Sequence, residues 1–198
     1  KEIEKNYPGK IAHFIMPPPV LFLNVEPSGI ERILNENKGL FKGFGEVGLY
    51  MDGYEGIKPN DPMLKQIYKL ADEHNLIVMI HPEDDLKDGI EEILQEFPNV
   101  IFFFHGGKHQ EWIIDLMPKY KNFYYSVDAD ISHIYGFKKE HQFQKLKNKE
   151  EYLAYMRENF DKVLNEELGS WKPRIEKYPD RFTWGTDRWF AWHYDREV

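Results

Sequence analysis

Four side chains that can bind a metal ion or transfer a proton lie within or just after apolar stretches of the chain. They are Glu46, His81, His105 and Asp187. Carboxylate oxygens and imidazole nitrogens are ligands for Zn²⁺, and also for Mn²⁺ and Fe²⁺. Such an ion lowers the pKa of a bound water to about 7 and makes a nucleophile available at neutral pH. These residue types therefore indicate metal-dependent chemistry on a water molecule, provided that the fold brings them together.

The stretches that carry these side chains are predicted to be β-strands separated by helices. Apolar runs occupy residues 40–49, 76–80, 100–104, 123–127 and 182–184. His81 and His105 are 24 residues apart, and His105 and Asp128 are 23 apart, which is about one strand–helix unit each. The runs at 76–80 and 100–104 show no alternation of apolar and polar residues, which is typical of strands buried on both faces of a parallel sheet. The pattern predicts a (β/α) barrel or a doubly wound sheet.

Local signals mark the other elements. The first strand is predicted at Lys10–Met16, and a capping box at Ser28–Glu31 predicts the start of a helix. Asn60-Asp61-Pro62 predicts a second helix start, with proline at the first helical position. The strand–helix period breaks over residues 130–180, where we expect an insertion of one or two helices and then a helix at Trp171–Tyr178. The insertion is interpreted either as a lid over the strand ends or as an ordinary crossover.

The composition is that of a globular domain with an acidic balance. The chain has 198 residues and a formal net charge of −8, which argues against a nucleic-acid partner because such a partner requires a basic face. The absence of cysteine excludes disulfides and thiolate metal sites. No apolar run approaches the ~20 residues that span a bilayer. We expect a single domain over residues 1–198, a cytoplasmic location, a small-molecule substrate and no membrane partner, and we leave a homo-oligomer open.

Four motifs together resemble the amidohydrolase superfamily. They are Gly45–Leu49 (GEVGL), Ile80–Asp84 (IHPED), Phe104–Gly107 (FHGG) and Tyr178–Asp187 (YPDRFTWGTD). The likeness is closest to the amidohydrolase-related branch of metal-dependent hydrolases and decarboxylases, and it extends from about residue 10 to residue 190. The resemblance implies an α/β fold of the TIM-barrel (β/α)8 type. It also implies an enzyme that uses a divalent metal, with Zn²⁺ the first expectation and Mn²⁺ or Fe²⁺ the alternatives.

The resemblance also implies a role for each of the four side chains. In the family, a histidine after strand five binds metal, and His81 matches it. A histidine after strand six binds a second metal or acts on the water, and His105 matches it. An aspartate after strand eight binds metal and serves as the base, and Asp187 matches it. Glu46 matches an acidic residue of strand four that is a ligand in some branches, including the TatD-like nucleases, and is not a ligand in others.

One part of the family pattern does not occur in this sequence. The family's first strand ends in a His-x-His pair that completes the metal site, and no His-x-His is present here. His13 stands alone in the first predicted strand, where we expect it to be a packing residue. With the Glu46 strand counted as strand four, the chain is expected to supply strands three to eight, about six strand–helix units. Strands one and two are then expected to precede Lys1, or to be absent from the protein.

Further side chains near the predicted strand ends are candidates for substrate binding. They are Arg188, Trp189, His109 and Asp128. Aromatic and charged groups at strand ends can line a substrate pocket. Each also has a structural interpretation: a helix start for His109, a turn or cap for Asp128, and packing for the two residues that follow Asp187.

These residues favour a metal-dependent hydrolase of a small organic substrate, acting on an ester, amide, lactone or related bond. His105 and Asp187 are the predicted catalytic residues, with Asp187 as the general base. A TatD-like metal nuclease is an alternative that depends on Glu46. Decarboxylation of an aromatic acid is a second alternative. A degenerate barrel fragment without catalysis is the third, and it would account for the missing His-x-His pair.

Overall fold

The apolar runs of the sequence form the strands of a parallel sheet. The computed structural model describes residues 2–16, 27–49, 56–81, 87–105, 116–127 and 149–185. The strands are β1 His13–Ile15, β2 Phe41–Gly48, β3 Ile77–His81, β4 Phe102–Phe104, β5 Phe123–Val127 and β6 Phe182–Trp184. They follow one another in chain order, and each pair whose register is described is parallel. The fold is therefore α/β, as predicted, with the six-stranded sheet of a partial TIM barrel.

Helices separate most of these strands, and their bounds follow from local chemistry. The described helices are α1 Glu2–Asn6, α2 Pro27–Glu36, α3 Pro62–His74, α4 Lys87–Glu96 and α5 Lys149–Lys177. At the start of α3, the Asp61 side chain accepts a hydrogen bond from the Met63 backbone N–H at 2.9 Å. Pro62 has no backbone N–H and therefore needs no acceptor at this end of the helix. The helix ends before Asn75, which adopts the left-handed conformation (φ 53°, ψ 50°). The helix start predicted at Asn60-Asp61-Pro62 is confirmed.

Two helix predictions are wrong in their bounds. α2 begins at Pro27, which places Ser28 inside the first turn and not at the cap. α5 is one continuous helix of 29 residues, whereas the sequence predicted a separate helix at Trp171–Tyr178. The helix continues through Gly169 because an isolated glycine costs only about 1 kcal/mol in a helix interior. Burial of Trp171, which is only 4% exposed, favours the continuation.

The chain divides into two compact units. One comprises Lys1–His105 with Asp115–Tyr124, and the other comprises Gly106–Ile114 with Tyr125–Val198. The single domain expected over residues 1–198 stays a prediction. Although α5 has 29 residues, neither it nor another helix in the described part of the chain has an apolar stretch that could cross a membrane.

The core of the first unit is aromatic and lies between the sheet and the helices. Tyr68 on α3 is fully buried, and its ring meets Phe97 and Phe102 edge-on at centroid distances of 5.7 and 5.2 Å. Phe104 stacks on Phe123 with centroids 4.7 Å apart. Full burial of a phenylalanine side chain contributes about 1.5–3 kcal/mol, so this cluster holds α3 against β4 and β4 against β5.

The two faces of the sheet in this unit differ in burial. Val78 and Ile80 are opposite Phe102 and Phe104 and are completely buried. Met79 and His81 point to the other face and are only half-buried. The expectation that this strand is buried on both faces is therefore wrong. The half-buried face is the one that carries the candidate ligands described below.

Asn122 is a buried amide that connects the end of α4 with the start of β5. Its side chain donates hydrogen bonds to the carbonyls of Leu94 at 3.2 Å and Phe97 at 3.0 Å. We expect Asn122→Ala to lower the free energy of unfolding by about 1–3 kcal/mol, because both carbonyls lose the side-chain donor and the Phe97 carbonyl keeps only the backbone N–H of Val100. Urea unfolding measures the change. Asn165→Ala, at an exposed position of α5, is the control and should stay within about 0.5 kcal/mol of wild type; equal losses in both variants would contradict the prediction.

Candidate metal centre

Strand pairing brings three of the predicted ligands to one edge of the sheet. Glu46 lies near the carboxyl end of β2, His81 is the last residue of β3, and His105 directly follows β4. Two backbone hydrogen bonds hold these ends together. The N–H of Leu49 donates to the His81 carbonyl at 3.1 Å, and the N–H of His105 donates to the Ile80 carbonyl at 3.2 Å. Because parallel strands end at the same edge, the three side chains converge there.

A β-bulge in β2 sets the direction of the Glu46 side chain. Phe44 pairs with Val78 and Val47 pairs with Ile80, so that Gly45 and Glu46 together oppose the single residue Met79. Phe44 and Val47 are both fully buried, although residues three apart in a regular strand face opposite sides. The extra residue therefore places Glu46 on the face that carries Met79 and His81.

Gly45 allows the close approach of β2 to β3 at this bulge. Its φ is +147°, and a Cβ atom at this position would lie 2.5 Å from Cβ of Met79. Glycine inside a strand is the sequence signal for a bulge or a close backbone contact, and glycines occur at 43, 45 and 48. The sequence predictions above did not include the bulge, although this signal was present.

The three side chains share one contact point. Oε1 of Glu46 lies 3.3 Å from Nδ1 of His81 and 3.3 Å from Nε2 of His105. The two imidazole rings meet edge-on, with centroids 4.6 Å apart and planes at 68°. The side chain of His105 is 4% exposed, that of Glu46 17% and that of His81 29%. Solvent therefore reaches the cluster mainly beside His81.

The donor atoms of this cluster fit a divalent metal ion. One ligand atom from each residue lies within 4.8 Å of the other two. Donors about 2.0–2.1 Å from a tetrahedral Zn²⁺ are about 3.3–3.4 Å apart. This matches the 3.3 Å that separates the Glu46 oxygen from each histidine nitrogen. Two histidines and one glutamate form a ligand set of catalytic zinc sites, which keep a further position for water or substrate.

The Glu46 carboxyl is held in its ionised form. Burial by itself raises its pKa, but hydrogen bonds and charge from His105 and His81 outweigh that effect. The net pKa of Glu46 lies well below its ordinary value of 4.5. A metal ligand must be deprotonated, so the carboxylate is ready to bind at neutral pH.

This lowered pKa predicts an acid dependence of stability in the metal-free protein. The Glu46 pKa in the folded state is below the ordinary 4.5. The contribution of this carboxylate to the free energy of unfolding is therefore fully present above about pH 4.5. The contribution is lost as the pH falls through the folded-state pKa. Urea unfolding with chelator, between about pH 7 and pH 3, should show a shallower dependence in Glu46→Gln than in wild type. Glu31→Gln, at an exposed position of α2, should keep the wild-type slope; identical slopes in Glu46→Gln and wild type would refute the prediction.

His13 lies away from this cluster. It pairs with Phe41 at the start of β2, five residues before Glu46. Five strand residues correspond to roughly 15 Å. His13 therefore lies beside the amino-terminal end of β2, whereas Glu46 is near the carboxyl end of β2. His13 is half-buried in β1, so it is no ligand of this centre.

Five predicted site residues lie outside the part of the chain that the structure describes. They are Asp187, Arg188, Trp189, His109 and Asp128. The last described residue before Asp187 is Gly185, whose N–H donates to the Val127 carbonyl at 3.2 Å and continues the pairing of β5 with β6. The roles of the five residues stay predictions.

Comparison with known proteins identifies the family. A family model described as Amidohydrolase matches residues 18–198. Neither the curated proteins nor the solved structures contain a match to the chain. The matched residues include the whole Glu46–His81–His105 cluster and the strands from β2 to β6. The chain belongs to the amidohydrolase family, whose fold is the TIM barrel.

Proposed function

We propose that the chain is a metal-dependent hydrolase of a small organic substrate, with an ester, amide, lactone or related bond as its target. The convergence of Glu46, His81 and His105 at the carboxyl edge of the sheet carries this proposal. Membership of the amidohydrolase family supports hydrolytic chemistry in general. When bound, a divalent ion such as Zn²⁺ lowers the pKa of a water molecule to about 7 and so supplies the nucleophile.

Each residue of the centre has a proposed role. His81 and His105 would hold the ion through Nδ1 and Nε2, and Glu46 through Oε1, whose negative charge offsets that of the cation. Asp187 is proposed to complete the ligand set and to act as the general base, which takes a proton from water and delivers it to the leaving group. Arg188, Trp189, His109 and Asp128 are proposed to bind the substrate around this centre.

A TatD-like metal nuclease is the second candidate function. The position of Glu46 inside the cluster favours it, because the carboxylate of this strand is a ligand in that branch. The net charge of −8 opposes it, since phosphate backbones bind to basic surfaces. A nuclease assay with Mg²⁺ or Mn²⁺ separates the two functions.

Metal content and hydrolysis, measured on the same preparation, test the proposed function. We expect zinc-loaded, dialysed protein to retain at least about one ion per chain, and His105→Asn to weaken zinc binding by about tenfold or more. His74→Asn, in the last turn of α3, should retain the wild-type metal content. Hydrolysis of a panel of aryl esters, lactones and amides should stop with chelator and return with zinc. Protein without bound metal and without hydrolysis would instead support the non-catalytic barrel fragment.

A further inference from the structure

Apolar side chains lie next to the metal ligands, one layer closer to the amino-terminal ends of the strands. Met79 precedes His81 by two residues in β3, and Phe103 of β4 precedes His105 by two residues. Side chains two residues apart in a strand share a face, so both lie on the face that carries the ligands. Met79 and Phe103 are also paired in the register of β3 with β4, so they are direct neighbours on that face.

Tyr124 on β5 adds a second aromatic ring to this layer. The backbone N–H of Phe102 donates to the Asn122 carbonyl at 2.8 Å. In a parallel ladder, this bond places Phe103 opposite Tyr124. The side chains of Met79, Phe103 and Tyr124 therefore form one row across three strands, which we call the apolar floor.

The apolar floor is within reach of a small group bound at the ligands. Its three side chains are half-buried, whereas their neighbours on the opposite face of the same strands are buried. Two residues along a strand correspond to about 7 Å. A single ring attached to a carbonyl group at the ligands would therefore reach the floor, and a methyl group would not. Partly open apolar side chains beside a few polar groups are typical of sites for small molecules.

The strands that form this face offer no cation to a charged substrate group. β3, β4 and β5 contain no lysine or arginine. The lysine of β2, Lys42, is at the other end of its strand from Glu46, where its ammonium group donates to the Gly39 carbonyl at 2.9 Å. The Glu46 carboxylate itself is negative. A carboxylate on the substrate would lose water against the apolar floor and would find no opposite charge on these strands, so an uncharged group is favoured.

We propose that the centre acts on carbonyl compounds with an uncharged apolar group, about one ring in size, attached directly to the reacting carbonyl; this substrate class rests on the hydrolase function proposed above. The carbonyl lies at the three ligands, and the apolar group contacts Met79 and Phe103. Methionine and aromatic side chains make favourable contacts with rings, and covering them removes apolar surface from water. Substrates whose group at this position carries a carboxylate are poor substrates.

Cobalt-loaded protein and three hydroxamates test this proposal without turnover. Hydroxamates chelate metal ions, and a change in the visible absorption of Co²⁺ reports their binding. Benzohydroxamate should bind about tenfold or more tightly than acetohydroxamate, because its ring covers the apolar floor. Para-carboxybenzohydroxamate should lose most of that gain. Equal affinities of benzohydroxamate and acetohydroxamate overturn the proposal, and so does para-carboxybenzohydroxamate that binds as tightly as benzohydroxamate.

Two variants on the same face of the sheet locate the ring. Met79→Gln keeps the length of the side chain but makes it polar, and it should weaken benzohydroxamate binding by about fivefold or more while acetohydroxamate changes by less than about twofold. Ile101→Gln is the matched control, because Ile101 is 39% exposed and precedes Phe103 by two residues, one layer further from the ligands. It should change neither affinity by more than about twofold. Equal weakening of benzohydroxamate binding in both variants overturns the contact with the floor.

Cobalt content separates this proposal from the function on which it rests. Protein that retains no cobalt after dialysis overturns the proposed function, and the substrate class with it. Protein that retains about one cobalt ion per chain and binds acetohydroxamate, but gains nothing from the ring of benzohydroxamate, overturns the substrate class alone.

Discussion

Asp187→Asn is expected to abolish turnover while the protein keeps its fold and most of its metal. Asparagine has the size of aspartate and can still offer an oxygen, but it cannot take a proton from water. Loss of a general base lowers kcat by about 10²–10⁴-fold, and we expect the upper part of that range because the residue is also a proposed ligand. The measurement is kcat of zinc-loaded protein, with metal content and thermal unfolding recorded on the same sample.

The control for this variant comes from the same segment. Asp180→Asn changes an exposed aspartate in the short 3₁₀ helix Pro179–Arg181, just before β6. Its kcat should stay within about twofold of wild type, because surface substitutions away from a site have small effects. If the kcat of Asp187→Asn stayed within about tenfold of wild type, Asp187 would not be the general base, and only its proposed role as a metal ligand would remain.

Gly45→Ala is the substitution with the largest expected effect on stability. A Cβ at Gly45 would meet Cβ of Met79 at 2.5 Å and the Met79 carbonyl oxygen at 3.2 Å. Its φ of +147° is also a conformation that residues with a Cβ rarely adopt. Backbone strain and overpacking each cost about 1–3 kcal/mol, so we expect the free energy of unfolding to fall by about 2–5 kcal/mol. Zinc affinity should fall as well, because the displaced strand carries Glu46.

The matched control is a glycine with open space around it. A Cβ at Gly169 on α5 would meet no atom within 4 Å beyond its chain neighbours and the adjacent backbone of its own helix. Gly169→Ala should therefore raise the free energy of unfolding by up to about 1 kcal/mol. Urea unfolding of both variants should thus give changes of opposite sign. Unchanged stability and zinc affinity in Gly45→Ala would show that β2 and β3 do not approach as closely as described.

Those parts of the fold that depend on local chemistry were predictable. β5 has the bounds expected from the apolar run at 123–127, and α3 begins and ends where Asp61, Pro62 and Asn75 indicate. The convergence of His81 and His105 followed from one rule, because parallel strands end at the same edge. Strand lengths were less predictable: β1 covers only His13–Ile15 of the expected Lys10–Met16, since pairing with β2 and not hydrophobicity sets its ends.

The direction of Glu46 could not be derived from its own segment. In the run FKGFGEVG, a regular strand would place Phe44 and Glu46 on the same face. The bulge that separates them is a property of the pairing with β3, where Met79 is opposed by two residues. The continuity of α5 has a similar origin, because it depends on the contact of Trp171 with Tyr125 and Phe182 on neighbouring strands. Both features are set by tertiary partners, which a local pattern does not contain.

The bulge also means that the carboxylate of the metal centre is carried on a single-residue insertion. β2 has one residue more than β3 between the pairs Phe44–Val78 and Val47–Ile80. A chain without Gly45 could pair one-to-one with β3 and keep Glu46 opposite Met79. A chain without Glu46 could also pair one-to-one with β3, but its metal centre would have only His81 and His105 as ligands. A change of one residue in chain length can therefore add or remove a metal ligand while the sheet keeps its register. The carboxylate ligand could be gained or lost in this way without a change of fold.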